Sequence, residues 1–372
     1  MKPLRSVLAT LVALVALDGL VAVVLPHAPA GLQAFFDHGR SVPGKIALWQ
    51  AEPAGESGNL LGAAWLPPMM AQSRDHFLAG GEVGPVIRSY GMSFSQELLD
   101  AARQADPLLV VDGHAGPAAP PNFVHAAFLD DRANRNPGDI VVIGLLSSSV
   151  PGMAAFSNRT WAFEQPAPFT YPVFRPDGPG GLVRTDPVLT DMADLDDPAS
   201  VAAFDAQLRA EDGMWTRAAF ALPQLDASPL ARLLRRAVAK SALAGREAAV
   251  ARDPQARWAE TLRLMLLDVA RITREDGQLP VILLIQARGD TRFALRETLG
   301  PLLEAEGIGY LATETLAHPA DGRGFLPDGH FTPEVNAALA QALLDLPELA
   351  GLRVSPPSRG GAAPAMRPVL SP

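Results

Sequence analysis

The chain has no cysteine in its 372 residues. Disulfides, thiolate zinc sites and cysteine nucleophiles are excluded with it, although the absence fits any compartment. Charge is also scarce, at 19%, and acidic groups outnumber basic ones by 40 to 31 for a formal net charge of −9. No run of lysine or arginine forms a basic footprint for a phosphate backbone, so no nucleic-acid partner is expected. No internal repeat is visible. What the chain does have is apolar surface to bury: 48% of its residues are hydrophobic, enough for one large core or two modest ones.

The apolar residues are densest at the start. Lys2 and Arg5 precede a nearly unbroken run from Val7 to Leu25, closed by Pro26. About 20 residues at about 1.5 Å each cover a hydrocarbon core of about 30 Å, and the positive flank favours a cytoplasmic N-terminus with everything after the span outside. Asp18 interrupts the run. At mid-bilayer it would cost about 2.5 to 3.5 kcal/mol, so a partner or a proton is expected there. Residues 1–30 then read as an uncleaved signal anchor or as a signal peptide cut after Ala28-Pro29-Ala30. The length of the run favours the anchor, and Pro26 favours cleavage. The expected location is a single-pass membrane protein with its main domain in the periplasm, or a secreted domain if the leader is removed.

Residues 31–84, with Trp49, Trp65 and Pro67-Pro68, show no clean period and read as a juxtamembrane helix and coil. From 85 onward short β-prone runs at 86–90, 108–112, 140–144, 281–286 and 308–312 alternate with helical spacing at 94–104, 122–134, 254–275 and 291–306. Thr332 and Pro333 open a last helix. This alternation predicts an α/β domain over 85–350, with a parallel sheet covered on both faces. Residues 150–252 break the rhythm and read as an insertion. It holds a hairpin (169–174 and 181–184) and an amphipathic helix (229–243) whose Arg232, Arg235 and Arg236 read as a solvated face or a contact for anionic lipid or polysaccharide. The Pro, Gly and Ala-rich stretch 351–372 reads as a disordered tail.

Ester chemistry at neutral pH needs a nucleophile, a base, an orienting carboxylate and donors for an oxyanion. Ser93, in Tyr90-Gly91-Met92-Ser93-Phe94-Ser95, lies where the first strand passes into a helix, so helix N-terminal amides point at its hydroxyl. The plainer alternative is that Ser93 or Ser95 only caps that helix. Asp328-Gly329-His330 follows the last strand and precedes the Thr332 helix start, a spacing that lets Asp328 meet one imidazole nitrogen while the other faces a nucleophile. Strand ends of a parallel sheet converge on one edge, so these two segments can meet there. The pairs Asp112-x-His114 and Asp328-x-His330 also permit a metal reading, ranked below the triad. No metal and no cofactor is expected.

In these motifs the chain resembles the SGNH or GDSL hydrolase superfamily over about 86–346, apart from the insertion. The resemblance implies a flavodoxin-like three-layer sandwich of about five parallel strands, with Ser93, Asp328 and His330 as the triad. It also implies an oxyanion glycine, first Gly116 and then Gly113, and a further side-chain donor. Ser147 or Ser148 stands where the family has asparagine, with Asn122 as the alternative donor or as a helix cap. Met92 replaces the usual acid beside the nucleophile, and one residue rather than two separates Asp328 from His330. The α/β-hydrolase elbow fits less well, because Ser95 occupies the place of its second glycine.

The implied activity is that of an exported serine esterase or O-acyltransferase on acyl, expected to be acetyl, esters of cell-surface or secreted polysaccharide. Its partners would be acylated carbohydrate, the membrane through the N-terminal helix, and proteins of the exopolysaccharide machinery. The alternative is an inactive relative that binds carbohydrate or assists polysaccharide assembly.

Overall fold

A computed structural model of the chain describes residues 2–27, 65–80, 85–162, 167–178, 180–221, 223–252 and 257–350. The cleavage triplet, most of the juxtamembrane stretch and the tail from 351 lie outside these residues.

The helix α1 (Lys2–Val24) is apolar and exposed along almost all of its length. Its stretch Pro3–Val24 is long and apolar enough to cross a membrane. A second helix, α2 (Leu66–Leu78), follows from the region read as juxtamembrane.

The main domain is α/β. Five parallel strands, β1 (Ile87–Gly91), β2 (Val111–Ala115), β3 (Ile140–Leu146), β6 (Leu279–Ile285) and β7 (Gly309–Ala312), lie in the order β2-β1-β3-β6-β7. Leaving out the hairpin strands β4 (Val173–Asp177) and β5 (Gly181–Thr185), this is the order 2-1-3-4-5 of flavodoxin-like sheets. β1, β3 and all of β6 after Leu279 are buried. They are central strands covered on both faces, which is why β3 and β6 read as apolar runs without alternation, while β1 buries the polar Arg88 and Ser89 as well. Each large aliphatic side chain buried there contributes about 1.5 to 3 kcal/mol.

The helices divide between the faces. On one lie α3 (Ser93–Ala105), against β1 and β2, and α9 (Pro333–Leu344), packed alongside α3. On the other lie α4 (Pro121–Asp130), α7 (Arg257–Glu275) and α8 (Leu295–Ala305), with α2 against α4. The insertion adds α5 (Pro198–Glu211) and α6 (Pro229–Ala251), and its hairpin packs on α7. The hairpin is set later than the sequence pattern predicts, at 173–185, because the positive φ of Gly178 and Gly180 fixes the turn. α6 runs on past 243 to Ala251.

One strand departs from expectation more than the others. The apolar run 108–112 predicts β2 there, but the pairing of Ile87 with Val111 sets the strand at 111–115. Arg88, paired in register with Asp112, makes an ion pair with it, and Tyr90 stacks on its register partner His114 at 5.3 Å. Cross-strand pairs, rather than the apolar run, decide the register. Leu108 is left exposed.

Beneath β1 lies a buried polar cluster. Asp131 accepts from Ser73 Oγ (2.6 Å), Tyr90 Oη (2.6 Å) and Asn134 Nδ2 (2.7 Å), and His114 Nε2 lies 3.3 Å from it. Burial alone would raise the Asp131 carboxyl, but His114, Ser73 and Tyr90 outweigh it and bring the group down to about 2. In the insertion the balance is reversed. Burial of Asp212 outweighs the amides of Phe156, Met214 and Trp215 and the hydroxyl of Thr160, and its carboxyl rises to about 6.

The switch in strand order falls between β1 and β3, where glycine is required for space. A Cβ on Gly91 would fall onto Ser95 Oγ, and one on Gly144 would meet Ser95 Cβ at 3.0 Å. The two glycines let the first turn of α3 rest on the sheet. Gly91→Ala is expected to lower stability by about 1 to 3 kcal/mol in a urea titration. In a Ser95→Ala background the cost should shrink, because the atom most crowded is gone; equal costs in both backgrounds would refute this reading.

Candidate active site

Ser93 occupies the first position of α3, directly over the β1/β3 switch point, where open α/β sheets place their ligands. The amides of a helix's first turn have no intrahelical acceptor and point toward such a residue. Ser95 has a different task. It is buried, donates to Met92 O (2.7 Å) and accepts from Met92 N (2.9 Å), so it clamps the turn. Of the two serines, Ser93 is the accessible one.

His330 is brought to Ser93 from the far side of the sheet. Phe325 and Phe331 form an antiparallel bridge that closes a tight loop, and within it Leu326 N donates to His330 O (2.7 Å). Gly329 adopts φ +95°, a conformation that side chains disfavour, so the glycine of Asp-Gly-His is required by the backbone. Thr332 then caps α9, accepting from Val335 N, with Pro333 at its first position. Because α9 packs along α3, the loop preceding it meets the start of α3.

The result is a hydrogen bond of 2.8 Å between Ser93 Oγ and His330 Nε2, across 237 positions of sequence. The imidazole is held flat on Phe94, with ring centroids 4.6 Å apart, and Phe94 is braced edge-on by Phe331. An aromatic face also favours the ring when it carries a proton.

The carboxylate side is looser. Asp328 Oδ1 accepts from His330 N at 3.1 Å, and Oδ2 lies 3.3 Å from Nδ1 but out of line for a hydrogen bond. The backbone amide of His330, and then its side chain, hold the Asp328 carboxyl below its ordinary range. Asp328 is 66% exposed, so its pairing with the ring is screened by water.

A second carboxylate, which the sequence reading did not single out, approaches from α3. Glu97 Oε1 lies 3.9 Å from His330 Nε2, and its other oxygen accepts from Asn336 Nδ2 at 3.3 Å. The four-residue spacing from Ser93 puts Glu97 one helical turn away on the same face. That spacing is the signal that could have found it. Phe94 carried no comparable signal.

The oxyanion expectations need correction. The amide of Gly116 donates to Gly91 O at 3.1 Å, which commits it to the strand end. Gly116 is glycine for packing, since a Cβ would meet Ala119 and Phe123 at 3.0 Å. Gly113 lies in the middle of β2, paired in register with Ser89. Asn122 is buried and donates through Nδ2 to Ala155 O and Pro172 O, so it fastens the insertion to α4 and is neither a free donor nor the helix cap, a position held by Pro120. Ser147 is buried and accepts from Ala287 N at 3.0 Å, tying β3 to the chain after β6. The donors that remain beside Ser93 are the amides of the first turn of α3.

His114 and Asp112 do not join His330 in the pairings observed. They face Tyr90, Asp131 and Arg88 on the opposite side of the sheet from α3. Among the described residues no group of three or more His, Asp and Glu side chains is arranged to hold a metal.

No protein-family model matches the chain, and no curated protein or solved structure matches it either. Fold and site together define a parallel α/β domain with a serine-histidine pair at the carboxyl edge of its sheet.

Because Asp328 stands in water and is not aligned with Nδ1, its removal should matter less than that of a buried triad acid. If the pair hydrolyses esters, Asp328→Ala is expected to slow that reaction about 10- to 100-fold, at or below the lower end of the roughly 10²- to 10⁴-fold span of general-base effects. Glu97→Gln should change it only a few-fold. A loss from Asp328→Ala as large as that from Ser93→Ala would overturn this ranking; steady-state kinetics on an aryl acetate decide it.

Proposed function

We propose that the protein is a serine esterase or O-acyltransferase of the SGNH kind, held at the membrane by α1, with its domain on the outer side. The observation that carries this reading is the 2.8 Å hydrogen bond from Ser93 to His330. That distance suits transfer of the hydroxyl proton to a neutral imidazole.

In the mechanism this implies, His330 Nε2 takes the Ser93 proton as Oγ attacks the ester carbonyl. The first-turn amides of α3 stabilise the oxyanion. The imidazolium, stacked on Phe94 and flanked by Glu97 and Asp328, returns its proton to the departing alcohol. An acyl group is left on Ser93. Water or a sugar hydroxyl then attacks that acyl group, with His330 again taking the proton, and Ser93 is regenerated. The substrate class follows from the resemblance to SGNH proteins of exopolysaccharide pathways: acetyl esters of a cell-surface or exported polysaccharide, handled beside that polysaccharide's assembly proteins.

A second reading is supported by a specific observation. With Gly116 and Asn122 committed elsewhere, the domain has fewer oxyanion donors than its chemistry calls for and would act as a carbohydrate-binding or assembly factor. Incubating the protein with an aryl acetate, with and without an oligosaccharide acceptor, separates the outcomes. Acetate release supports the esterase, acetylated oligosaccharide supports the transferase, and binding of oligosaccharide without turnover supports the second reading.

A further inference from the structure

The carboxylate in the middle of the apolar helix has a partner. Asp18 Oδ1 accepts from Ser228 Oγ at 2.6 Å and from Leu230 N at 2.8 Å, so the first turn of α6, some 210 positions later, caps a carboxylate on α1. The two helices pack together there. A helix N-terminus suits this task, since its free amides and dipole both favour negative charge.

Simple lengths place this junction within a bilayer. From Ser6 to Val24, beyond Arg5, the helix is about 28 Å long at 1.5 Å per residue, close to the hydrocarbon thickness of about 30 Å. From Ser6 to Leu17 it is only about 18 Å long, too short to span, so Asp18 cannot sit outside the hydrocarbon if α1 crosses it. Asp18 then lies about 9 Å inside the outer boundary, and the residues hydrogen-bonded to it lie at the same depth.

The chain around Ser228 is suited to that environment. Leu225, in the turn Pro223–Ala227, is 51% exposed, and Leu234 and Val238 on α6 are 60% and 59% exposed. Of the exposed positions of α6, Leu234, Ala237, Val238, Ser241 and Ala244 form an uncharged stripe, and the exposed cation Lys240 stands beside it, beyond the first turns. Arg235 is turned inward, onto Ala218 O, Ala219 O and Asp226.

We propose that the turn Pro223–Ala227 and the first turns of α6 are immersed in the acyl-chain region of the outer leaflet, beside α1, as a second membrane contact of the domain. This rests on reading α1 as a retained span. The occupant of the exposed apolar surface is lipid, because that surface continues directly from a helix that itself crosses the lipid.

The absence of cysteine permits a direct test. Single cysteines replacing Leu14, Leu108, Leu225 or Leu234 are spin-labelled in the full chain, reconstituted in phosphatidylcholine vesicles. Relaxation by oxygen, which concentrates in lipid, is compared with relaxation by a water-soluble nickel chelate. Labels at 14, 225 and 234 should favour oxygen, and the label at 108 should favour nickel. In Asp18→Ala the labels at 225 and 234 should shift toward nickel while the label at 14 does not. If 225 and 234 behave like 108 while 14 remains in lipid, the immersion is overturned and the span stands. A water-like label at 14 overturns both. Ester hydrolysis, measured in the same vesicles, reads the Ser93 proposal separately.

Discussion

Replacing Ser93 by alanine should reduce hydrolysis of p-nitrophenyl acetate by about 10³-fold or more, with the fold unchanged by circular dichroism. The magnitude follows from the loss of the hydroxyl bonded to His330 Nε2, since in the proposed acyl-enzyme route nothing replaces that hydroxyl once it is gone. The neighbouring Ser95→Ala should behave differently. Its hydroxyl holds both backbone groups of Met92, so its loss should cost about 1 kcal/mol of stability, as for a helix cap, and leave most of the activity. If the two variants exchanged these phenotypes, the clamp and the nucleophile would have been assigned to the wrong serines.

The largest effect on stability is expected at Asp131. Removing its carboxylate leaves the hydroxyls of Ser73 and Tyr90 and the amide of Asn134 without their acceptor, and takes the carboxylate away from the His114 ring 3.3 Å off, inside a core that water does not reach. Breaking a buried charged network in this way costs about 3 to 5 kcal/mol. Asp131→Ala should therefore lower the urea midpoint sharply or prevent folding. The same cluster gives a pH dependence that needs no substitution. The carboxyl titrates near 3.8 when unfolded and about 2 when folded. Its contribution is therefore complete above about 3.8 and is lost as pH falls through about 2. Asp212 acts in the opposite sense. With a folded value of about 6, it weakens the insertion as pH rises from about 4 through 6. Urea midpoints between pH 2 and 7 should rise over the first interval and decline over the second. A profile that keeps rising through pH 6 would contradict the role given to Asp212.

The order of strands and helices was legible because buried parallel strands appear as short apolar runs between helical stretches. The meeting of Ser93 and His330 was legible for a related reason. One segment follows the first strand and the other follows the last, and strand ends of a parallel sheet share an edge. Local pattern failed where a residue's partner is distant in sequence. The register of β2 is decided by Arg88 with Asp112 and Tyr90 with His114, pairs visible only once β1 and β2 lie side by side. Asn122 looked like a donor or a cap because its short-range context is the start of a helix, whereas its amide bonds carbonyls at 155 and 172. Gly116 looked like an oxyanion glycine, yet its amide is held by Gly91 and its missing side chain makes room for Phe123. The partner that Asp18 required was foreseeable as a need, but its position at Ser228 was not.

The central claim is that the Ser93 hydroxyl and the His330 imidazole act as one unit. The most direct measurement is the rate at which a fluorophosphonate labels the protein, with the adduct located by peptide mass spectrometry. The account predicts a single adduct on Ser93, formed about 10² to 10⁴ times more slowly in His330→Ala. Labelling of Ser93 at an undiminished rate without the imidazole, or an adduct on any other serine, would contradict it.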